Sequence, residues 1–199
     1  MGLSLRYEYG QTPLADEELD GLRINSIGSK AELDEHEHQN IEEAIFWLRN
    51  KNLSTEKILS ENFIKQCHRK MFGSVWSWAG EFRKTDKNIG IPFYEIPMAL
   101  KLLTDDALFQ VANNVYPPDE MALYFKHRLV SIHCFANGNG RHSRLMADII
   151  IEKIYQQEVF SWGSKQPKNS AEYLRKEYIQ AVKACDRGDF SALLNFARK

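Results

Sequence analysis

The chain has 199 residues, of which 43% are hydrophobic and 27% are charged, and its formal net charge is -1 at pH 7. A chain of this length supports one substantial hydrophobic core, and we expect one domain of ordinary globular composition. The balanced charge argues against direct nucleic-acid binding or attraction to an anionic membrane, because both normally require a basic excess.

The cysteines and the first residues bear on where the protein is found. Its three cysteines are odd in number, widely spaced and without a C-x-x-C pair, which favours neither a disulfide framework nor a zinc site. The opening residues lack the basic and apolar pattern of a secretory signal, and no run approaches the roughly 20 apolar residues of a membrane span. We therefore expect a cytoplasmic protein without a membrane partner.

An irregular arm and a capped helix are predicted first along the chain. Residues 1–28 mix glycine, proline and charges without a sustained period, and we interpret them as the arm. Ser29 and Glu32 match a capping box, which predicts a helix from Ser29 to about Asn50. The core-facing stripe of that helix includes Glu37, where the period calls for an apolar side chain. Either the helix is rotated so that Glu37 is solvated, or Glu37 is buried and needs a partner.

The rest of the chain predicts further helices and one flap. Ser60 is expected to cap a helix that stops at Gly73. Short apolar pieces separated by glycine and proline between residues 89 and 96 suggest a β-hairpin or an extended flap. The other predicted helices run approximately from Ile96 to Asn113, from Met121 to Ile132, from the following glycine turn to Ile154, from Ala171 to Cys185 and from Phe190 to Arg198, with a loop at Pro117 and Pro118. This pattern predicts a mainly α-helical single domain over 29–199, with a buried central helix and one short β-hairpin flap.

Residues 133–144, which read HCFANGNGRHSR, carry the candidate chemistry. Gly138 and Gly140 form a turn at the start of the buried helix, where backbone N–H groups without helical partners attract anions such as phosphate. Arg141 and Arg144 lie in the first turn of that helix, where the helix dipole disfavours cations unless an anion is bound. His133 faces the same turn, and an ordinary pKa near 6.5 would let it accept a proton from a hydroxyl at neutral pH.

This stretch resembles the H-P-F-x-D/E-G-N-G-R-x-x-R signature of the Fic family. The segments VWSWAGEFR and NIGIPF resemble the Trp-Ala-Gly segment and the flap of that family, and the likeness covers residues 30–198. The Ala-Asn pair before GNGR resembles the bacterial Fic proteins that are labelled mobile mystery protein B. The resemblance implies a Fic-like helical bundle that transfers part of a nucleotide, most often AMP from ATP, to a side-chain hydroxyl of a target protein.

The resemblance also implies roles for individual residues. His133 would be the general base, and Phe135 would be a buried anchor. Asn139 and Arg141 would hold the phosphates through the transition state. The implied nucleotide- and phosphate-binding residues are Asn137, Gly138, Asn139, Gly140, Arg141 and Arg144. The implied flap, which would align the target main chain by strand addition, consists of Ile89, Gly90, Ile91, Pro92, Phe93 and Tyr94.

Two residues depart from the family signature. Cys134 replaces the usual proline, which is a change in packing. Asn137 replaces an acidic residue that binds Mg²⁺, and a neutral amide oxygen is a weaker ligand than a carboxylate. Mg²⁺ would then be held mainly by the ATP phosphates, with Asn137 as a weak ligand.

Three other functions stay open beside AMP transfer. One is phosphate transfer, as in the Doc branch of the family, and another is a nucleotide-binding regulatory module that has lost catalysis at Asn137. A purely structural helical domain is the third, and it would leave Arg141 and Arg144 unexplained.

The resemblance finally suggests a partner for Glu37. Many Fic proteins carry an inhibitory helix with a Ser/Thr-x-x-x-Glu-Gly/Asn pattern, whose glutamate pairs with the second arginine of the signature. The chain lacks that pattern in full, because Glu37 is followed by His38. We nevertheless expect Glu37 to pair with Arg144 and to restrain the enzyme, with Glu42 and Glu43 as alternative inhibitory residues.

Overall fold

The computed structural model of the chain describes residues 12–165 and 171–199, and most of these residues lie in helices. In chain order the helices are α1 (Asp16–Leu19), α2 (Lys30–Arg49), α3 (Thr55–Ile58), α4 (Glu61–Phe72), α5 (Ile96–Ala112), α6 (Pro118–Ile132), α7 (Asn139–Ile149), α8 (Ala171–Cys185) and α9 (Ser191–Arg198). The mainly α-helical fold predicted from the sequence is confirmed.

The first long helices begin at the predicted caps. The Ser29 hydroxyl accepts a hydrogen bond from the backbone N–H of Glu32, and the Glu32 carboxylate accepts one from the Ser29 backbone, so the capping box is formed. The Ser60 hydroxyl caps α4 in the same way, and α4 ends before Gly73. Helix α2 then packs along α4. Glu37 faces that contact and is buried, so the solvated reading of Glu37 is wrong.

Helix α7 is the central element, as its apolar composition predicted. It contacts α6 on one side and α4 on another, and it continues into a π-helical turn at Ile150–Ile154. Its inward-facing side chains, including Met146 and Ile149, are almost completely buried, as is Ile151 in the following turn. Full burial of one such side chain stabilises the fold by about 1.5–3 kcal/mol, so this helix is firmly held.

The expected β-hairpin at residues 89–96 is wrong. The described residues contain no strand, only isolated bridge residues such as Leu22 and Trp76, which lie away from this segment. The chain instead bends through Gly90, which has φ +96°, and enters a short 3-10 turn at Phe93–Glu95. Pro92 has no N–H to donate to a ladder and Gly90 is in a left-handed conformation, so the segment forms an irregular flap.

The structure differs from the predicted boundaries at three other places. Residues 1–11 of the predicted arm lie outside the described residues, and the described part includes the single turn α1. Helix α3 was not predicted, although Ser54 caps it. Pro118 is the first residue of α6 rather than part of a loop, because proline suits the first helical turn, where no N–H bond is lost. Within the described ranges, no helix has both the length and the apolar character needed to cross a membrane.

Candidate active site

The turn between α6 and α7 brings the predicted site residues together. Helix α6 ends at Ile132, and His133 takes a left-handed conformation with φ 58° and ψ 59°, which turns the chain sharply. Gly138 has φ 78° and immediately precedes α7. A Cβ atom on Gly138 would lie 2.6 Å from the Phe72 ring, whereas one on Gly140 would meet no atom within 4 Å. Gly138 therefore packs against α4, and Gly140 leaves an open side to the turn.

The side chain of Asn139 shapes this turn from within. Its Oδ1 atom accepts a hydrogen bond of 3.0 Å from the Phe135 N–H, and its Nδ2 atom donates one of 2.7 Å to the Phe135 carbonyl. Sequence comparison implied that Asn139 would hold the phosphates. In this structure both atoms of the side-chain amide are bonded to the backbone of Phe135. An anion at the start of α7 would therefore be bound by the backbone N–H groups of Asn139 and Gly140.

His68 in α4 supports the turn, a role that the sequence pattern did not predict. Its Nδ1 atom accepts a hydrogen bond of 3.0 Å from the Gly80 N–H. That bond places the proton on Nε2, which lies 3.0 Å from the carbonyl oxygen of Asn137. The ring stacks on Phe135, with centroids 3.8 Å apart. Burial holds the pKa of His68 well below its usual value, so the ring is neutral. The sequence feature that could have indicated this role is the position of His68, which directly follows Cys67 on the buried face of α4.

His133, the predicted general base, is buried and neutral. Burial, assisted by the positive charge of Arg83, lowers the pKa of His133 to about 4. Its Nε2 atom lies 3.4 Å from the hydroxyl oxygen of Thr12, and its Nδ1 atom is buried without a hydrogen-bond partner among the described residues. A neutral imidazole can accept a proton from a hydroxyl at pH 7, which a protonated one cannot.

Arg83 joins His133 to the flap, and it too was missed. Its Nε atom donates a hydrogen bond of 2.7 Å to the His133 carbonyl, and its Nη2 atom donates to the Ile91 carbonyl in the flap. Its Nη1 atom donates one of 2.9 Å to the Thr85 carbonyl. The Arg83 side chain is completely buried, so its forked donor groups fix the separation between these backbone segments. The sequence feature that could have indicated this role is the position of Arg83 at the end of the VWSWAGEFR segment.

The predicted flap approaches His133 at Gly90. Gly90 passes so close that a Cβ atom there would lie 2.6 Å from the Cβ atom of His133. The N–H of Phe93 donates a hydrogen bond of 2.9 Å to the Asp86 carboxylate, which links the end of the flap to the segment before it. Ile89, Phe93 and Tyr94 expose large apolar side chains. The flap thus presents apolar side chains close to the candidate base.

Glu37 pairs with Arg141, so the predicted pairing with Arg144 is wrong. Glu37 Oε2 lies 2.6 Å from Arg141 Nη1, and Glu37 Oε1 accepts a hydrogen bond of 2.6 Å from the Trp76 indole N–H. The Arg144 guanidinium instead lies over the ring of Tyr178 in α8, 5.3 Å from its centroid. The reason is packing: α2 lies against α4, and the Arg141 guanidinium projects from α7 towards α4, 4.8 Å from the centroid of the Phe72 ring.

The alternative inhibitory residues stay on the outer face of α2. Glu42 is exposed and lies 3.3 Å from the Nε2 atom of His38, its neighbour one turn earlier. Glu43 is exposed as well. Of Glu37, Glu42 and Glu43, it is therefore Glu37 that lies beside a signature arginine, Arg141.

Asn137 is engaged on both sides of its amide. Its Oδ1 atom accepts a hydrogen bond of 2.6 Å from the Gly138 N–H, and its Nδ2 atom donates one of 3.1 Å to the Thr12 carbonyl. Within residues 12–165 and 171–199, no group of three or more His, Cys, Asp or Glu side chains is arranged to hold a metal ion. These residues do not fit a Mg²⁺ ion held by the protein alone, because the hard cation requires several oxygen ligands.

Comparison with known proteins identifies the part of the chain that carries this site. Residues 58–151 match the model of the Fic/DOC family. The chain is 27% identical over 151 residues to the protein adenylyltransferase VbhT of Bartonella schoenbuchensis, covering 70% of this chain and 30% of that protein. It is 29% identical over 137 residues to the protein adenylyltransferase Fic of Drosophila grimshawi, covering 67% of this chain and 26% of that protein. The chain thus spans less than a third of either relative.

A solved structure agrees in fold. The BepC protein from Bartonella tribocorum, crystallised with bound AMPPNP, superposes with a TM-score of 0.68 at 17% identity, covering 92% of this chain and 97% of that one. The family match, residues 58–151, includes the flap, His133 and both signature arginines, whereas Glu37 lies before it. Residues 58–151 of the chain therefore resemble the Fic/DOC family, and the turn between α6 and α7 lies within the matched residues.

Proposed function

We propose that the chain is a protein adenylyltransferase that transfers AMP from ATP to a side-chain hydroxyl of a target protein. The observation that carries the proposal is the neutral, buried imidazole of His133 beside an anion-binding helix start that carries Arg141. The two curated relatives named above are protein adenylyltransferases, and the BepC structure contains an ATP analogue. These features support ATP as the substrate of this chain as well.

In the proposed reaction the residues around the turn have separate tasks. The Nε2 atom of His133 takes the proton from the target hydroxyl while its oxygen attacks the α-phosphorus of ATP. The new bond joins that oxygen to the α-phosphorus, and the bond to the bridging oxygen of the β-phosphate breaks, so pyrophosphate leaves. The N–H groups of Asn139 and Gly140, together with the guanidinium of Arg141, stabilise the charge on the phosphates. The Gly138 N–H joins them when the Asn137 side chain turns away.

We also propose that α2 restrains this reaction. While Arg141 is paired with Glu37, its guanidinium is not free to bind a phosphate, and the carboxylate repels the negative charge of ATP. Asn40, one turn further along α2, fixes the helix through hydrogen bonds of 3.0 Å to the Lys70 carbonyl and the Ser74 N–H. The restraint is therefore built into the chain and anchored at two successive turns of α2.

The flap, residues 89–94, is the proposed binding site for the target main chain. Its exposed apolar side chains and its connection to His133 through Arg83 support this role. An extended target segment would add to the flap as a strand, which places a hydroxyl near His133 and reads little sequence. We therefore expect the target to be a protein with an extended segment that carries a hydroxyl side chain.

We also propose that Mg²⁺ enters the site with ATP and that the protein is bacterial. ATP would bring its own Mg²⁺, and Asn137 would contribute at most a weak oxygen ligand after releasing the Gly138 N–H. The Ala136-Asn137 pair before the signature glycines supports a bacterial origin within the mobile mystery protein B subgroup, and with it a cytoplasmic location.

The hydrogen bonds of Asn137 favour two alternatives. In one the domain binds nucleotide without transferring AMP, and in the other it transfers the γ-phosphate as in the Doc branch. Incubation with α-labelled and γ-labelled ATP in separate reactions distinguishes these functions, using wild type, His133→Ala and Glu37→Gly. We expect protein-bound label from the α-position, more with Glu37→Gly and none with His133→Ala. Label from the γ-position alone would establish phosphate transfer, and binding of ATP without label in any variant would establish the regulatory module.

A further inference from the structure

We propose that Thr12 is a site of self-modification, at which the chain attaches AMP to its own threonine hydroxyl. The inference rests on the proposed AMP transfer and adds an acceptor to it. Thr12 lies in the arm before α1 and is only 8% exposed, so the rest of the site covers it. What points to an acceptor is the position of its hydroxyl at the candidate base.

Two contacts place Thr12 in the site. Its hydroxyl oxygen lies 3.4 Å from His133 Nε2, which is the atom that would take the proton from an acceptor. Its carbonyl oxygen accepts a hydrogen bond of 3.1 Å from the Asn137 side chain. One contact is made by the side chain and the other by the backbone, so both the position and the direction of the hydroxyl are set.

The arm is also anchored beside the flap. The Lys87 ammonium, whose side chain is 6% exposed, pairs with the Glu18 carboxylate and donates a hydrogen bond of 3.3 Å to the Pro13 carbonyl. The indole N–H of Trp78 donates one of 2.9 Å to the Glu18 carbonyl. Since Lys87 lies two residues before the flap, these bonds hold Thr12 on the side from which a target segment would approach His133. The arm thus occupies the place of a substrate.

The chemistry of the site suits this hydroxyl. His133 is buried and neutral, and its Nε2 atom lies nearest to the Thr12 oxygen, so the proton has an acceptor at hydrogen-bonding distance. The Thr12 oxygen would form a bond to the α-phosphorus of ATP, and the bond between that phosphorus and the bridging oxygen would break. Pyrophosphate leaves, the proton passes to His133, and AMP remains on Thr12. ATP supplies the energy, and no other reactant is required.

An acceptor within the same chain has a kinetic consequence. The rate constant for modification should be independent of protein concentration, because the hydroxyl is already at the base. A target protein must displace the arm before its own hydroxyl reaches His133. Thr12 and the target therefore compete for one position.

The test uses the full chain with Glu37→Gly, in which Arg141 is free, incubated with ATP and analysed by intact mass and peptide mapping. We expect one AMP on Thr12, at a first-order rate constant that is unchanged over a tenfold range of protein concentration. Thr12→Ser keeps the hydroxyl and should retain the AMP at this position. Thr12→Val keeps the shape without the hydroxyl and should lower AMP on the peptide at least tenfold, with an unfolding midpoint close to that of Thr12→Ser.

The outcomes separate this inference from the proposed function. AMP on Ser4, Tyr7, Tyr9 or other positions, with Thr12 unmodified, would overturn the Thr12 assignment and leave the transferase in place. AMP on an added protein, with Thr12 unmodified, would also overturn the Thr12 assignment. The arm would then block the site without accepting AMP. If no acceptor in cis or in trans receives AMP, both the assignment and the proposed function fail.

Discussion

Glu37 and Arg141 form the ion pair that joins α2 to the central helix α7, with Glu37 Oε2 2.6 Å from Arg141 Nη1. The carboxylate is almost fully buried, whereas about a third of the arginine side chain is exposed, at 5% and 34% respectively. A buried carboxylate without its partner costs several kcal/mol, but a partly exposed guanidinium is readily solvated. Replacing Glu37 should therefore cost less stability than replacing Arg141.

Glu37→Gln should activate the protein. The glutamine keeps the size of the side chain and an oxygen for the Trp76 indole N–H, but it removes the charge that holds Arg141. We expect ATP affinity and AMP transfer to rise about tenfold, which corresponds to about 1.4 kcal/mol. Glu42→Gln, on the exposed face of the same helix, is the matched control and should change neither. Equal activation by both variants, or by neither, would contradict the restraint.

Substitution of the two signature glycines should have opposite effects on stability. Gly138→Ala puts a methyl group 2.6 Å from the Phe72 ring at a residue with φ 78°, and we expect it to lower the free energy of unfolding by about 1–3 kcal/mol. Gly140→Ala meets no atom within 4 Å and lies within α7, so stability should rise by up to about 1 kcal/mol.

Denaturant unfolding of the two variants checks this difference, and ATP titration shows its consequence. We expect Gly140→Ala to bind ATP more weakly, because the methyl group enters the open side of the turn. Unchanged ATP affinity in a stable Gly140→Ala protein would show that the phosphates approach elsewhere.

Arg83→Lys should impair use of a protein target more than ATP binding. Lysine keeps the charge but has no fork, so it cannot hold the carbonyls of His133 and Ile91 together. We expect the KM for a protein target to rise about tenfold while ATP affinity changes little. Arg69→Lys is the control, because Arg69 is largely exposed and pairs with Glu81 on the surface. A similar loss in both variants would mean that Arg83 has no special role in positioning.

The protein should lose stability as the pH falls below about 6.5. Burial lowers the pKa of His133 to about 4 and that of His142 to about 3, and it holds the pKa of His68 well below its usual value. Between these values and 6.5 the unfolded chain binds protons that the folded chain does not, so protonation favours unfolding.

A single fully buried histidine contributes up to about 1.4 kcal/mol per pH unit to this loss. Burial raises the pKa of Asp148 to about 7, and this carboxyl acts in the opposite sense, because its folded form holds a proton until higher pH. Urea unfolding of Asp148→Asn at several pH values from 4 to 7 should therefore show a steeper acid loss than wild type. A stability independent of pH in that variant would contradict the burial of the neutral histidines.

Local patterns in the chain were sufficient for most of the fold. The bonds that begin α2 and α4 join residues three apart, so Ser29 and Ser60 marked these helices in the sequence. The expected hairpin at 89–96 went wrong because a ladder depends on a partner strand, and alternation within one segment says nothing about a partner. Arg83 and His68 were overlooked because the bonds that tie them to His133, Gly80 and Asn137 join residues 12 to 69 positions apart.

By itself the sequence determined the helical class, the signature from His133 to Arg144 and the misplaced charge of Glu37, because these follow from residue types and spacings of a few positions. Only the tertiary structure decided that Glu37 meets Arg141 and that Thr12 reaches His133. The physical reason is that α2 and the arm are placed by packing against α4, Trp76 and Lys87, and the resulting contacts join residues about a hundred positions apart.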